Sequence, residues 1–265
     1  MRARARRCLA RGALRGAGYR IPAGVLVLAL AACGGTASSD PGLEPSLPAA
    51  RVGAAAPAAL APRSAAQRVA AANAAPPHDG IYYALGDSVA NNVEVAGTSG
   101  SYPALLGADL VMKTINLAVP GDRALAVLDD QVPEIASPCG LVTLQVGGPD
   151  LIDDLAPAAS VEPTFALVYE RAKVACPHGT VMISTYINNA AQPAVHENIA
   201  AYIAWLRTFA KQNAASLEDV SEDDRFNDPP FPSALMYNWM HPNKAGMKLV
   251  AEDWYSRIES LNVRL

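Results

Sequence analysis

A serine and a histidine, far apart in the chain, are the residues whose types and surroundings best suit nucleophilic chemistry. Ser88 ends the motif Gly86-Asp87-Ser88, and His241 stands shortly before the last helical pattern. A histidine that takes the serine proton allows the hydroxyl oxygen to attack an acyl carbon and form an acyl-enzyme. The motif alone is a weak signal, because an aspartate and a serine in a turn also serve as helix caps.

The elements that must position these two side chains are strands and helices in regular alternation. Apolar runs predict strands at 81–85, 113–117, 141–146, 180–186 and 216–220, and helical periodicity predicts helices at 102–110, 122–135, 161–175, 196–214 and 243–260. This alternation predicts an α/β fold, a three-layer α/β/α sandwich with a five-stranded parallel sheet. Ligands bind at the carboxyl edge of such sheets, where Ser88 follows the first strand and His241 follows the last.

Two further turns that contain glycine follow predicted strands and would lie at the same edge. Gly121 comes after the second strand, and Gly147-Gly148-Pro149-Asp150 comes directly after the third. Glycine lets a backbone approach a ligand closely, although ordinary β–α turns also favour glycine, proline and aspartate. We therefore expect these turns to face a substrate beside Ser88.

Taken in order, these motifs resemble the conserved blocks of the SGNH/GDSL hydrolases, which are serine esterases with a flavodoxin-like sheet. The resemblance covers residues 80–265 and rests on Gly86-Asp87-Ser88, Gly121, Gly147-Gly148-Pro149-Asp150 and Asn238-Trp239-Met240-His241. It implies Ser88 as the nucleophile, His241 as the general base and Asn238 as the residue that orients the histidine. It also implies an oxyanion hole formed by the backbone N–H groups of Ser88 and Gly121, and neither a metal nor an organic cofactor.

Two positions depart from the family pattern, and both bear on catalysis. Where the family has an asparagine that donates to the oxyanion, this chain has Pro149, which has no side-chain donor and no N–H. Where the family has the triad aspartate, this chain has Asn238, which carries no charge to stabilise an imidazolium. In other serine enzymes such losses cost about 10²–10³ and about 10⁴ in rate, and they do not add.

These departures leave three functions open: an ester hydrolase of reduced activity, a binding or scaffolding protein that keeps the fold, and an acyltransferase. An acidic residue in the loop after the last strand would supply the missing charge, and the candidates are Asp223, Asp224 and Asp228. The acyl site is also open, because four apolar residues suit either a substrate pocket or the core: Tyr82, Tyr83, Trp239 and Met240.

The N-terminal part of the chain has the features of an export signal followed by a tether. Residues 1–32 combine seven arginines and no acidic residue with an apolar run too short to cross a bilayer. The run ends in Leu30-Ala31-Ala32-Cys33, which resembles the lipobox of bacterial lipoproteins and predicts lipidation of Cys33. An ordinary cleaved secretory signal is the alternative. Residues 33–79 are rich in alanine and proline, a composition that predicts a tether. We therefore expect the protein to lie in the bacterial cell envelope, anchored to the membrane.

The part of the chain beyond this signal is acidic and contains a pair of cysteines. There, 14 basic residues face 25 acidic ones, a formal charge of −11. Such acidity disfavours nucleic acid as a partner, and small-molecule, lipid or glycan esters are the expected substrates. Cys139 and Cys176 suit a disulfide in an exported protein, although two buried free thiols are equally compatible with their spacing.

Overall fold

The motifs with candidate catalytic residues all lie in the C-terminal part of the chain, and the structure describes four segments of that part. The computed structural model of this chain describes residues 80–92, 97–190, 192–227 and 233–261. The predicted signal at 1–32 and the predicted tether at 33–79, with Cys33, lie outside the described residues, so these interpretations stay predictions.

Five strands form one parallel sheet at the centre of the domain. They are β1 (Ile81–Gly86), β2 (Lys113–Asn116), β3 (Cys139–Gln145), β4 (Thr180–Ser184) and β5 (Ser216–Glu218). The sheet order is β2-β1-β3-β4-β5, and every neighbouring pair is parallel. β1 and β3 are almost wholly buried, as strands covered on both faces must be. The predicted fold class, an α/β sandwich with a five-stranded parallel sheet, is confirmed.

Helices connect the strands and cover both faces of the sheet. They are α1 (Ser88–Asn91), α2 (Tyr102–Asp109), α3 (Ala124–Ala126), α4 (Gly148–Ile152), α5 (Ala158–Ala175), α6 (Pro193–Asn213), α7 (Asp224–Asn227) and α8 (Lys244–Ser260). On one face α2 packs against α8, where the rings of Tyr102 and Trp254 stack at 6.0 Å. On the other face α5 packs against α6, where Phe165 meets Trp205 edge-on at 5.5 Å. Among the described residues, no helix is both long enough and apolar enough to span a bilayer.

The segment predicted as one helix at 122–135 is divided in the structure. After α3 comes a wide turn of π-helix at Val127–Gln131, followed by a 3₁₀ turn at Val132–Glu134. Pro133 has no N–H to continue the helical ladder, which accounts for the change in geometry. The strand predictions are closer, since β3 begins two residues earlier than predicted, and β4 and β5 each end two residues earlier.

Cys139 and Cys176 are joined in a disulfide. Their Cα atoms are 5.3 Å apart, within the range that such a bond requires. Cys139 begins β3 and Cys176 follows the last residue of α5, so the bond lies at the amino edge of the sheet. Of the two alternatives that the sequence left open, the structure has the disulfide, and it braces the edge opposite to Ser88.

Candidate active site

Ser88 and His241 meet at the carboxyl edge of the sheet. β1 ends at Gly86, and Ser88 is the first residue of α1, so the serine lies where the strand turns into a helix. Asp87 caps this helix by accepting a hydrogen bond from the N–H of Val89 at 3.0 Å. Ser88 Oγ lies 2.7 Å from His241 Nε2, and both residues are half-buried. The structure therefore brings the two residues together at hydrogen-bond distance.

Asn238 holds the ring of His241. Its Oδ1 accepts hydrogen bonds from the backbone N–H groups of Met240, at 2.9 Å, and His241, at 2.7 Å. These bonds fix the orientation of the amide, because its NH₂ group in the same place would face two other donors. His241 Nδ1 then lies 3.1 Å from Asn238 Oδ1 and 3.0 Å from Asn238 Nδ2. The histidine nitrogen is therefore within reach of both the acceptor and the donor of one amide.

This double contact supports two tautomers of His241. When Nδ1 carries the proton, it donates to Asn238 Oδ1, and Nε2 presents a lone pair to Ser88 as a general base. When Asn238 Nδ2 donates to Nδ1, the ring proton is on Nε2, which then cannot accept the serine proton. A carboxylate would support only the first tautomer and would also stabilise the imidazolium. The amide is therefore compatible with a lone pair at Nε2, and it supports that tautomer less than a carboxylate would.

The second glycine turn, at residues 119–122, follows β2 and lies against the nucleophile turn. It is closed by a hydrogen bond from the N–H of Asp122 to the Val119 carbonyl at 3.1 Å. The φ angle of Gly121 is +85°, which the third position of a type II turn requires. The N–H of Gly121 takes no part in that bond, and the N–H of Val119 donates to the Gly86 carbonyl at 3.2 Å. The turn of Gly121 is thus bonded to the turn that precedes Ser88, and the role of Gly121 as an oxyanion donor stays a prediction.

The third glycine turn, at residues 147–150, contributes packing rather than a side-chain donor. Gly147 and Gly148 are buried, as is Pro149 near the start of α4, and proline offers no hydrogen-bond donor. Asp150 Oδ2 accepts a hydrogen bond from the N–H of Ala124 at 2.9 Å, and burial raises the pKa of Asp150. The turn therefore joins α3 to α4, and residue 149 does not supply the third oxyanion donor of the family pattern.

Asp87, the neighbour of the nucleophile, is buried and held by Tyr186. The Tyr186 hydroxyl donates to Asp87 Oδ2 at 2.7 Å and accepts from the Gly148 N–H at 3.0 Å. A Cβ at Gly148 would lie only 2.7 Å from the same carboxylate oxygen, so this approach needs glycine. Burial raises the pKa of Asp87 to about 6, although the hydrogen bonds from Tyr186 and Val89 act in the opposite direction. The buried carboxyl of Asp87 is therefore harder to ionise than that of an exposed aspartate.

One of the acidic loop residues considered as a replacement triad acid has another role. Both carboxylate oxygens of Asp223 accept hydrogen bonds from the guanidinium of Arg225, at 2.6 to 3.0 Å. Arg225 also binds Asp253 of α8 at 2.5 Å, so the three side chains form an ion cluster. Asp224 is exposed, and Asp228 lies outside the described residues. The replacement hypothesis therefore rests on Asp224 and Asp228.

The four apolar residues that suit either an acyl site or the core differ in burial. Tyr82 and Tyr83 belong to the buried core of β1, and Tyr82 Oη lies 2.8 Å from the Thr143 hydroxyl. Trp239 and Met240 are half-buried next to His241, so a substrate role stays a prediction for these two. Within the four described segments, no group of three His, Cys, Asp or Glu residues is arranged to hold a metal ion.

Two buried side chains that hold the site were not predicted from the sequence. Gln131, at the end of the π-helical turn, accepts from the Gly86 N–H at 2.9 Å and donates to the Gly86 carbonyl at 2.8 Å. Its Nε2 also donates to Asp122 Oδ2 at 2.8 Å. Tyr186 follows β4, and its place after a strand at the carboxyl edge is a usable signal, whereas no motif surrounds Gln131.

Several solved structures share this fold at low sequence identity. A lipolytic protein of the G-D-S-L family from Desulfitobacterium hafniense is similar with a TM-score of 0.59 and 20% identity, over 68% of this chain and 99% of that one. Phospholipase A1 from Streptomyces albidoflavus is similar with a TM-score of 0.56 and 19% identity, over 68% of this chain and 98% of that one. A psychrotrophic esterase from Pseudoalteromonas is similar with a TM-score of 0.53 and 17% identity, over 70% of this chain and 100% of that one. At these identities the likeness establishes the fold.

Sequence comparison assigns the family. None of the curated proteins matches this chain. Residues 84–249, however, match the model of the GDSL-like lipase/acylhydrolase family, and this range contains Ser88, Gly121 and His241. Because the match covers more than half of the sequence, the chain belongs to the GDSL-like lipase/acylhydrolase family.

Proposed function

We propose that this protein is an exported, lipid-anchored serine ester hydrolase that works through an acyl-enzyme on Ser88. The observation that carries the proposal is the 2.7 Å distance between Ser88 Oγ and His241 Nε2 at the carboxyl edge of the sheet. Membership of a family of lipases and acylhydrolases supports ester hydrolysis as the reaction.

The reaction begins when Ser88 Oγ attacks the acyl carbon of a bound ester. His241 Nε2 takes the hydroxyl proton, and the carbonyl oxygen becomes an oxyanion beside the N–H groups of Ser88 and Gly121. The bond to the alcohol oxygen then breaks, and that oxygen receives the proton from His241. Water attacks the acyl-enzyme while His241 takes its proton, and the acid leaves as Ser88 regains its hydrogen.

Two features place the expected turnover below that of a complete triad. Asn238 orients His241 without a negative charge, so the imidazolium is less stable than it would be beside a carboxylate. Pro149 leaves the oxyanion with two backbone donors, from Ser88 and Gly121. We therefore expect a slow hydrolase, whose rate depends strongly on the placement of those two N–H groups.

The proposed substrates are acyl esters of lipids, glycans or small alcohols. Two proteins with a similar fold are described as a phospholipase A1 and an esterase, which supports this class. Trp239 and Met240, half-buried next to His241, are the residues we propose to contact the acyl chain.

We further propose that Cys33 is lipidated and holds the protein at the bacterial cell envelope. The support is the sequence Leu30-Ala31-Ala32-Cys33 after an arginine-rich apolar signal. In a bacterial host, the full chain is expected to sediment with membranes, and Cys33→Ala is expected to remain in the soluble fraction. Equal sedimentation of the two forms would contradict the anchor.

A binding or scaffolding protein with the same fold is the second candidate. The replacement of the triad acid by Asn238 and of an oxyanion donor by Pro149 favours it. Such a protein would still bind an ester or its acid product, but the ester would not be cleaved.

Hydrolysis of short and long acyl esters by the purified full chain separates the two candidates. The comparison is between wild type, Ser88→Ala and the matched control Ser160→Ala, because Ser160 is exposed and donates to the Pro157 carbonyl. We expect only Ser88→Ala to lose activity. Equal rates for Ser88→Ala and wild type would reject the serine hydrolase, and binding without hydrolysis by wild type would favour the second candidate.

A further inference from the structure

The side chain of Gln131 binds two of the three turns that build the candidate active site. It is 3% exposed, and both of its polar atoms are used. Oε1 accepts from the Gly86 N–H at 2.9 Å, while Nε2 donates to the Gly86 carbonyl at 2.8 Å and to Asp122 Oδ2 at 2.8 Å. One amide thus holds the backbone of Gly86 at both its donor and its acceptor, and reaches across to the turn that contains Gly121.

The residues that Gln131 binds are close in sequence to the two predicted oxyanion donors. Gly86 is two positions before Ser88, and Asp122 directly follows Gly121. The two turns are also bonded directly, by the Val119 N–H to the Gly86 carbonyl at 3.2 Å. Two connections between the turns therefore limit how far the Ser88 and Gly121 N–H groups can move relative to each other.

The local backbone explains why a residue so far from any motif reaches the site. Val127–Gln131 form one wide turn of π-helix between α3 and the 3₁₀ turn that contains Pro133. A π-helical turn rotates the residues that follow it relative to an ordinary α-helix, and such turns often occur at functional sites. Gln131 ends this turn and is buried against β1, which puts its amide beside Gly86.

We propose that Gln131 is a positioning residue of the oxyanion hole, which fixes the spacing of the Ser88 and Gly121 N–H groups. It acts through Gly86 and Asp122 and does not itself touch the substrate. Oxyanion donors stabilise the transition state only when they are already in place, and a misplacement of about 1 Å can cost on the order of 10²-fold in rate. Because Pro149 supplies no third donor, catalysis depends on this spacing. This inference rests on the proposed serine hydrolase function.

The test is steady-state ester hydrolysis by the full chain with Gln131→Met, which keeps the length of the side chain and removes its hydrogen bonds. We expect kcat to fall by about tenfold to hundredfold with KM nearly unchanged, because the lost interaction acts in the transition state. Gln131→Glu keeps the acceptor for Gly86 and loses the amide donor, so it is expected to lose kcat as well. The matched control is Gln145→Met, since Gln145 is equally buried and donates to the Thr185 carbonyl at 3.1 Å. Its kcat is expected to stay near that of wild type.

A double-mutant cycle tests whether Asp122 is the partner through which Gln131 acts. Asp122→Ala removes the acceptor for Gln131 and is expected to lower kcat, and Asp122→Asn, which keeps an acceptor, is expected to lower it less. The double variant Gln131→Met/Asp122→Ala should be no slower than Gln131→Met alone, because both changes break one connection. A purely structural role for Gln131 would instead lower the folded fraction and leave kcat per folded molecule unchanged.

The outcomes separate this inference from the function on which it rests. If Ser88→Ala is inactive while Gln131→Met and Gln131→Glu keep the wild-type kcat per folded molecule, the role of Gln131 alone is overturned. If Ser88→Ala is as active as wild type, the proposed function and the inference fail together. A drop in kcat for both Gln131 variants, absent in Gln145→Met, supports the inference.

Discussion

Ser88 and His241, the two members of the proposed catalytic pair, are held by different kinds of contact. Ser88 follows a buried strand, and its turn is bound by Gln131 and Tyr186, which come from distant parts of the chain. His241 lies in an irregular segment, where Asn238 binds backbone groups two and three residues ahead. Even the backbone bond of the histidine is local, since its carbonyl accepts from the Tyr237 N–H at 2.8 Å.

Because of this difference, substitutions on the two sides of the site are expected to affect folding stability and reaction rate differently. On the serine side, the hydrogen bonds of Gln131 and Tyr186 join elements that are distant in the chain, so their loss is expected to lower both folding stability and rate. On the histidine side, the hydrogen bonds of Asn238 close only a short segment, so substitutions of Asn238 and His241 are expected to change the rate and to affect stability little, whereas Asn92 ties the neighbouring Pro242 carbonyl to the end of α1 at 3.0 Å. The predictions below test this separation.

The largest effect is expected from His241→Ala, which removes the general base. In another serine hydrolase, loss of the histidine costs about 10⁶ in kcat; here, with a weaker pair, we expect a loss of at least about 10³-fold. The free energy of unfolding should change by less than about 1 kcal/mol. His196→Ala is the control, because His196 is exposed at the start of α6. A His241→Ala enzyme that hydrolyses esters at the wild-type rate would remove the histidine from the mechanism.

An increase in activity is expected from Asn238→Asp. A carboxylate accepts from His241 Nδ1 and cannot donate to it, so it selects the tautomer that accepts the serine proton. It also stabilises the imidazolium, and we expect kcat to rise by about tenfold or more. Steady-state hydrolysis at neutral pH measures the change. A kcat at or below that of wild type would show that the amide does not limit catalysis.

On the serine side, Tyr186→Phe is expected to lower stability in a pH-dependent way. The change leaves Asp87 Oδ2 and the Gly148 N–H without this hydroxyl, at a cost of about 1–3 kcal/mol. The folded-state pKa of Asp87, about 6, is raised above its ordinary value of 3.8, so its contribution to stability is present in acid and is lost as pH rises toward about 6. The Tyr186 hydrogen bond lowers that pKa, so without it the loss continues to higher pH.

Denaturant unfolding between about pH 5 and pH 8 measures this effect as the difference in stability between wild type and Tyr186→Phe. We expect the difference to grow as pH rises through 6. Tyr202→Phe is the control, since Tyr202 is also buried but donates to the Val146 carbonyl at 3.0 Å and not to a carboxylate. A difference that is constant with pH for both variants would contradict the link between Tyr186 and Asp87.

The smallest effect on activity is expected from Asp223→Asn. This carboxylate is engaged by Arg225, so its loss should leave kcat unchanged and lower stability by about 0–1 kcal/mol. The same assay on Asp224→Asn and Asp228→Asn completes the test of a loop acid behind His241. A tenfold or greater fall in kcat in one variant would identify that acid, and unchanged kcat in all three would exclude the idea.

The sequence was most informative where chemistry and local structure coincide. Ser88 follows an apolar run with a turn at its end, and His241 precedes a helix pattern, so their common edge could be predicted from parallel strand topology. The departures from the family pattern at Pro149 and Asn238 could also be identified from the sequence, because each is a change of residue type within a motif. The order of these motifs along the chain was enough to indicate the family.

Contacts between residues that are distant in the sequence could not be predicted in the same way. Gln131 was placed within one predicted helix, and the π-helical turn that directs its amide to Gly86 depends on tertiary contacts rather than on periodicity. The pKa of Asp87 likewise depends on burial and on Tyr186, which is distant in sequence. The disulfide between Cys139 and Cys176 required the distance between two elements, which spacing alone does not provide.

The central claim, that Ser88 and His241 form a working nucleophile–base pair, is tested most directly by covalent labelling. A reactive alkyl phosphonate ester is incubated with the full chain, and the modified residue is identified by peptide mass spectrometry in wild type, Ser88→Ala and His241→Ala. We predict that Ser88 is labelled in wild type, that Ser88→Ala takes up no label, and that His241→Ala is labelled far more slowly. Labelling of His241→Ala at the wild-type rate, or no labelling of Ser88 in wild type, would contradict the claim.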